Sequence, residues 1–141
     1  MHLLLTLLLS LNVVAVDLSG IKAEPKLEKR SELALQYADS KVDAARDAYK
    51  QGDLDASTAA LSEVQAGVQL SYDSLMATGK DARRNSRPFK EAEKATRQIL
   101  RRLDSLSDLM SALDRSAVEP VQRTVADIHD KLITGIMGKK K

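Results

Sequence analysis

His129, flanked by Asp127 and Asp130, is the first place to look for chemistry, because imidazole and carboxylates together can ligate a metal or shuttle a proton. On a helix, residues one and two apart point in different directions, so Asp127-Ile128-His129-Asp130 is not a chelate. Glu-x-x-His spacing, which di-iron bundles use to bring two ligands onto one face, does not occur here. The expectation for His129 is a solvated polar face. Ser105, Ser107 and Ser111 have no neighbouring base and no elbow glycines, which excludes a hydrolase triad. Glu91 with Glu93, and Asp104 with Asp108, read as charged helix surface, and Asp43 to Arg46, Asp47 to Lys50 and Glu93 to Arg97 are spaced for pairs along a helix. The chain has no cysteine, so thiol catalysis, thiolate metal sites and disulfides are excluded. No catalytic residue, metal ligand or cofactor site is assigned, and a non-enzymatic protein is expected.

Charge is distributed more informatively than any catalytic motif. The chain carries 22 Lys and Arg against 20 Asp and Glu, a net charge of +2 that implies no polyanionic partner in bulk. Residues 54–79 hold three acids and no base, residues 80–102 nine bases and three acids, and residues 103–130 six acids and two bases. Arg83, Arg84, Arg87, Lys90, Arg97 and Arg101 in the basic segment are the candidate anion-binding residues, suited to anionic lipid headgroups, cell-wall polymer or an acidic protein surface. The competing explanation is internal, with the acidic helix of residues 54–79 lying beside them. Only 3% of residues are aromatic, so stacking platforms for nucleic acid are missing and nucleic acid is not an expected partner. An aromatic-lined small-molecule pocket is not expected either.

Four helices must position these residues. Leu27, Ala34, Ala38, Val42, Ala45 and Tyr49 share one helical face between Pro25, placed for a first turn, and Gly52, placed for a C-terminal stop. Asp53 is set to cap a second helix with Leu54, Leu61, Val64, Val68, Tyr72 and Leu75 on its inner side. Gly67 inside this helix costs about 1 kcal/mol relative to Ala, which a close helix crossing or an exposed, tolerated glycine would each explain. After the polar break of residues 79–88, steps of three and four connect Phe89, Ala92, Thr96, Ile99, Leu103, Leu106, Met110, Leu113 and Ala117. That is coiled-coil-type spacing, and Leu100 and Leu109 widen it enough for two neighbours. Ser116-Ala117-Val118-Glu119 has the form of a capping box before Pro120 and a fourth helix carrying Val121, Val125, Ile128, Leu132 and Ile136. The fold class is therefore all-α, an antiparallel up-and-down bundle of four helices with a coiled-coil-like third helix.

Residues 3–16, LLLTLLLSLNVVAV, are uncharged and too short at about 21 Å for a bilayer core of roughly 30 Å. They have the form of a signal-peptide h-region, although residues 1–2 supply no Lys or Arg before it. Cleavage after Ala15, Gly20 or Ala23 is open, giving a signal peptide within residues 1–23, a bundle over 24–138 and a basic tail at 139–141. A periplasmic or secreted location follows, compatible with a cysteine-free chain.

Around residues 45–64, Ala48-Tyr49-Lys50-Gln51-Gly52-Asp53-Leu54-Asp55-Ala56, with Leu61 and Val64, resembles the turn of a single tetratricopeptide unit. No second copy follows, and the family's Trp and closing Pro are missing. The resemblance implies a helical hairpin for packing or protein binding and assigns no peptide-binding residue. Taken together, the sequence predicts an exported bundle acting through protein–protein contacts or self-association through its heptad face. The alternative is an envelope-surface binder of anionic lipid or polymer, with an enzyme as a remote third.

Overall fold

The computed structural model describes residues 17–138, and the segments 1–16 and 139–141, on which the signal-peptide and basic-tail expectations fall, lie outside them. Five α-helices follow in order: α1 Leu18–Lys22, α2 Leu27–Lys50, α3 Leu54–Ala77, α4 Ser86–Leu109 and α5 Glu119–Met137, with a short 3-10 turn at Asp114–Ala117 before α5. Among the described residues there is no strand, and no helix is long and apolar enough to cross a membrane. The four predicted long helices are α2 to α5.

The α2–α3 hairpin closes as its turn chemistry dictates. Gly52 adopts φ +80°, a left-handed conformation that side chains resist, and the Asp53 carboxylate accepts the Ala56 amide at 2.9 Å. Small residues then let the two backbones approach. A Cβ added to Gly67 would lie 2.9 Å from the Ala34 carbonyl oxygen and 3.0 Å from the Ala38 Cβ. The close crossing explains this glycine, and the exposed alternative is ruled out because Gly67 is buried. The hydroxyls of Ser31 and Ser71 pair at 2.7 Å, and Ser57 donates to the Ala45 carbonyl at 2.8 Å, so the polar atoms in this tight seam are satisfied.

The second hairpin, α4–α5, packs against the first through Phe89, Ile99, Leu103 and Leu106 on α4 and Val121, Val125, Ile128 and Leu132 on α5. Chain direction alternates along the four long helices. Around the bundle, however, α4 sits beside α2 as well as α5, and α3 touches α5 more than α4, so the 78–85 connection crosses the bundle. Ala82 anchors that crossing, buried with its Cβ beside Gly135 of α5. Parallel α2 and α4 are clamped where Arg102 donates to the carboxylates of Asp39 and Asp43. Farther along, the Tyr49 hydroxyl donates to Asp114 and accepts the Ser111 amide, both at 3.0 Å.

Three local expectations are corrected. The seam of α4 is buried as predicted from Phe89 to Leu106, but the helix ends at Leu109, Met110 turns extended, and Leu113 is exposed. Tertiary bonds from Tyr49 capture the Ser111 amide and the Asp114 carboxylate, favouring a turn over another helical repeat. The capping box does not form: Ser116 donates to the Leu113 carbonyl, and α5 starts at Glu119 with Val118 at its N-cap and no side-chain cap, with Pro120 in its first turn. Pro25 lies just outside α2. A feature not predicted is α1, capped by Asp17, which accepts the Gly20 amide at 3.0 Å. Its Ile21 is buried against Ala34 and Tyr37.

Candidate functional site

The outer face of α4 is the most unusual surface of the described residues. Arg87, Lys90, Lys94, Arg97 and Arg101 are all exposed and follow one another by three, four, three and four residues. This spacing aligns them in one stripe of about 21 Å along the helix. The stripe lies opposite the buried seam of Phe89, Ala92, Thr96, Ile99, Leu103 and Leu106. Lys94, not among the six candidate residues read from the sequence, stands at its centre. The same three-and-four spacing that marks the seam would have found it.

The six candidates divide. Arg87, Lys90, Arg97 and Arg101 share the stripe, whereas Arg83 and Arg84 are in the 78–85 connection at its N-terminal end. Arg83 approaches Asp81 at 3.6 Å and lies over Gly138. The Asp81 carboxylate accepts the Arg83 amide at 2.9 Å, a backbone bond that, with the charges of Arg83 and Arg84, holds its pKa below the ordinary value. Arg87 pairs with Glu91 at 3.3 Å and Arg97 with Glu93 at 3.4 Å, both along α4. Lys90, Lys94, Arg101 and Arg84 make no ion pair among the described residues.

Neutralisation by the acidic helix of residues 54–79 does not occur at the stripe. On α3, Glu63 accepts the Tyr37 hydroxyl and Asp73 accepts the Gln69 amide. Its first base, Arg87, also opposes the helix macrodipole, because it lies in a first turn of α4 that holds no acid. Bases near a helix N-terminus each cost a few tenths of a kcal/mol, up to about 1 kcal/mol. Pairing along the helix gives Arg87 and Arg97 a local role, whereas Lys90, Lys94 and Arg101 have no such partner.

His129 does not sit on a solvated face. Its side chain is 14% exposed, and its Nε2 lies 3.0 Å from Glu93 Oε1, the oxygen that also faces Arg97. One carboxylate thus ties α5 to α4 and holds Arg97 at the edge of the stripe. Sequence reading could not see this pair across 36 residues. Among the described residues no three His, Asp or Glu side chains are grouped to hold a metal ion.

A groove of about 920 Å³ opens between the N-terminal halves of α2 and α4, floored by Leu27, Leu35, Leu75, Ala92 and Ile99. Its acidic rim is paired: Glu28 with Lys80 at 2.7 Å, Glu32 with Lys29 at 3.4 Å, Glu91 with Arg87, and Asp39 with Arg102. Burial would lower the Arg102 pKa, but the bonds and charges of Asp39 and Asp43 outweigh it and raise the value. The groove has no aromatic lining and no unpaired acid aimed into it, so the α4 stripe is the better candidate site.

The chain matches no family model, and neither a curated protein nor a solved structure is significantly similar to it.

Proposed function

We propose that this protein is a non-enzymatic helical-bundle docking module that holds an anionic surface of the cell envelope against the outer face of α4. The observation that carries this reading is the five-base stripe, exposed over four turns, with three of its bases free of ion pairs among the described residues. Headgroup phosphates and wall-polymer phosphates present the same chemistry to it. The apolar stretch of residues 3–16 supports placing the protein in the periplasm or outside the cell. A protein partner is the second reading, supported by the turn around residues 45–64 that resembles a tetratricopeptide unit. Self-association through the heptad face loses its surface, because that seam is buried inside the chain.

Each base near an anionic surface contributes about 1 kcal/mol. Replacing Lys90, Lys94 and Arg101 with Gln is therefore expected to weaken binding to anionic phospholipid vesicles roughly 100-fold. Co-sedimentation at low and high salt measures this, with polyglycerol phosphate as the polymer arm. Binding to vesicles alone assigns lipid, and binding to the polymer alone assigns the wall. Salt-independent binding, or none to either, would overturn the reading.

A further inference from the structure

The exposed large apolar residues are not scattered. Leu54 opens α3, Met76 stands one residue from its end, Leu109 closes α4, Leu113 lies in the α4–α5 connection and Met137 closes α5. Among the described residues the long flanks of the bundle carry none. Leu113 is 85% exposed and Met137 75%, more than any others in this set.

The five divide between opposite ends. Tyr49 bonds Ser111 and Asp114, bringing the α2–α3 turn beside the α4–α5 connection, so Leu54, Leu109 and Leu113 share one end. At the other end Ala82 touches Gly135 and Arg83 lies over Gly138, which places the 78–85 connection beside the end of α5 with Met76 and Met137.

Charge follows the same division. At the methionine end, residues 22–30, 76–90 and 134–138 hold nine bases and three acids. At the leucine end, residues 46–58 and 104–119 hold seven acids and three bases. Each end pairs exposed apolar side chains with charge opposite to that of the other.

We infer that the basic, methionine-bearing end of one copy docks on the acidic, leucine-bearing end of a second copy, so that the protein assembles head to tail. The contact is heterologous: it uses two different patches and leaves one of each open on every growing chain, so assembly is open-ended instead of stopping at a closed dimer. Charge sets the polarity, because equal ends repel. Leu113 and Met137 supply the apolar contact at its centre.

Sedimentation velocity of the whole protein, over a range of concentrations at low and high salt, tests this directly. The expected result is a concentration-dependent series of species that collapses toward monomer in high salt. Lys26→Glu, Lys29→Glu, Arg83→Glu and Arg84→Glu together take the first end from +6 to −2, and Asp47→Lys, Asp104→Lys and Asp108→Lys take the second from −4 to +2. The new charges lie next to helix ends that favour their sign, and thermal melting verifies the fold. Either variant alone is expected to remain monomeric, while their mixture regains assembly by alternating the two. Leu113→Ser, which removes the apolar contact without adding charge, is expected to raise the apparent dissociation constant at least about tenfold. A monomer at every concentration in low salt, assembly that survives either end reversal, or a mixture that stays monomeric would overturn the inference.

Discussion

The two faces of α4 have the same spacing and opposite causes. On the inner face, steps of three and four from Phe89 to Leu106 place apolar side chains in a core shared with α2, α3 and α5. On the outer face, the same steps from Arg87 to Arg101 place bases in water, three of them without an ion pair among the described residues. Burial explains the first pattern completely. The second gains nothing from packing, and only Arg87 meets the unfavourable end of the helix dipole; the proposed envelope contact would supply the cause that burial does not.

Substitutions that strike one face and spare the other separate these causes. The largest stability loss is expected from Leu103→Ala, which leaves a cavity in the fully buried seam and costs about 2–5 kcal/mol by chemical denaturation. Gly67→Ala tests the other tight seam, where the added methyl meets the Ala34 carbonyl; a cost of about 1–3 kcal/mol is expected, against the gain this change gives in an open helix. At the boundary between the faces, Arg102→Met removes the clamp on Asp39 and Asp43 in a partly exposed setting, and a loss of about 1 kcal/mol is expected. On the outer face, Arg87→Gln relieves an unfavourable dipole contact and is expected to leave the melting temperature unchanged or slightly raised while weakening vesicle binding. A fall in stability as large as that of Leu103→Ala would show that the stripe is structural.

The Tyr37 hydroxyl provides a pH check on the α2–α3 seam. Burial, then the hydrogen bond to Glu63 and its charge, push its pKa from 10.0 to about 12. A raised folded-state pKa favours the protonated phenol, so its contribution is present below pH 10 and is lost as pH rises through about 12. Melting curves across that window are expected to fall less steeply for Tyr37→Phe than for the unaltered chain.

Elements with local causes were legible in the sequence. The Gly52-Asp53 stop and start needs only a left-handed glycine and one side-chain cap, and both formed. The α4 seam was legible through Leu106 because its period is set by helix geometry alone. Its end was not, since the bonds that Tyr49 makes to Ser111 and Asp114 span more than 60 residues and outcompete the local pattern. The pairing of His129 with Glu93 and the choice of Asp39 and Asp43 by Arg102 were hidden for the same reason. Of the six candidate bases, grouped in the sequence by charge segregation, four fall on the stripe. Lys94 was legible but omitted, and the separation of Arg83 and Arg84 depended on where α4 begins.

A cut after Ala15 would leave α1 on the bundle, whereas a cut after Gly20 would remove Leu18 and one after Ala23 would remove Ile21 itself, with its contacts to Ala34 and Tyr37.

The measurement that tests the central claim most directly is residue-by-residue mapping of amide chemical shifts as anionic lipid micelles or polyglycerol phosphate are titrated into the labelled protein. The account predicts salt-reversible changes centred on Lys90, Lys94 and Arg101, with the exposed side of α3 unmoved. Changes centred on the α2–α4 groove, or absent from the outer face of α4, would contradict it.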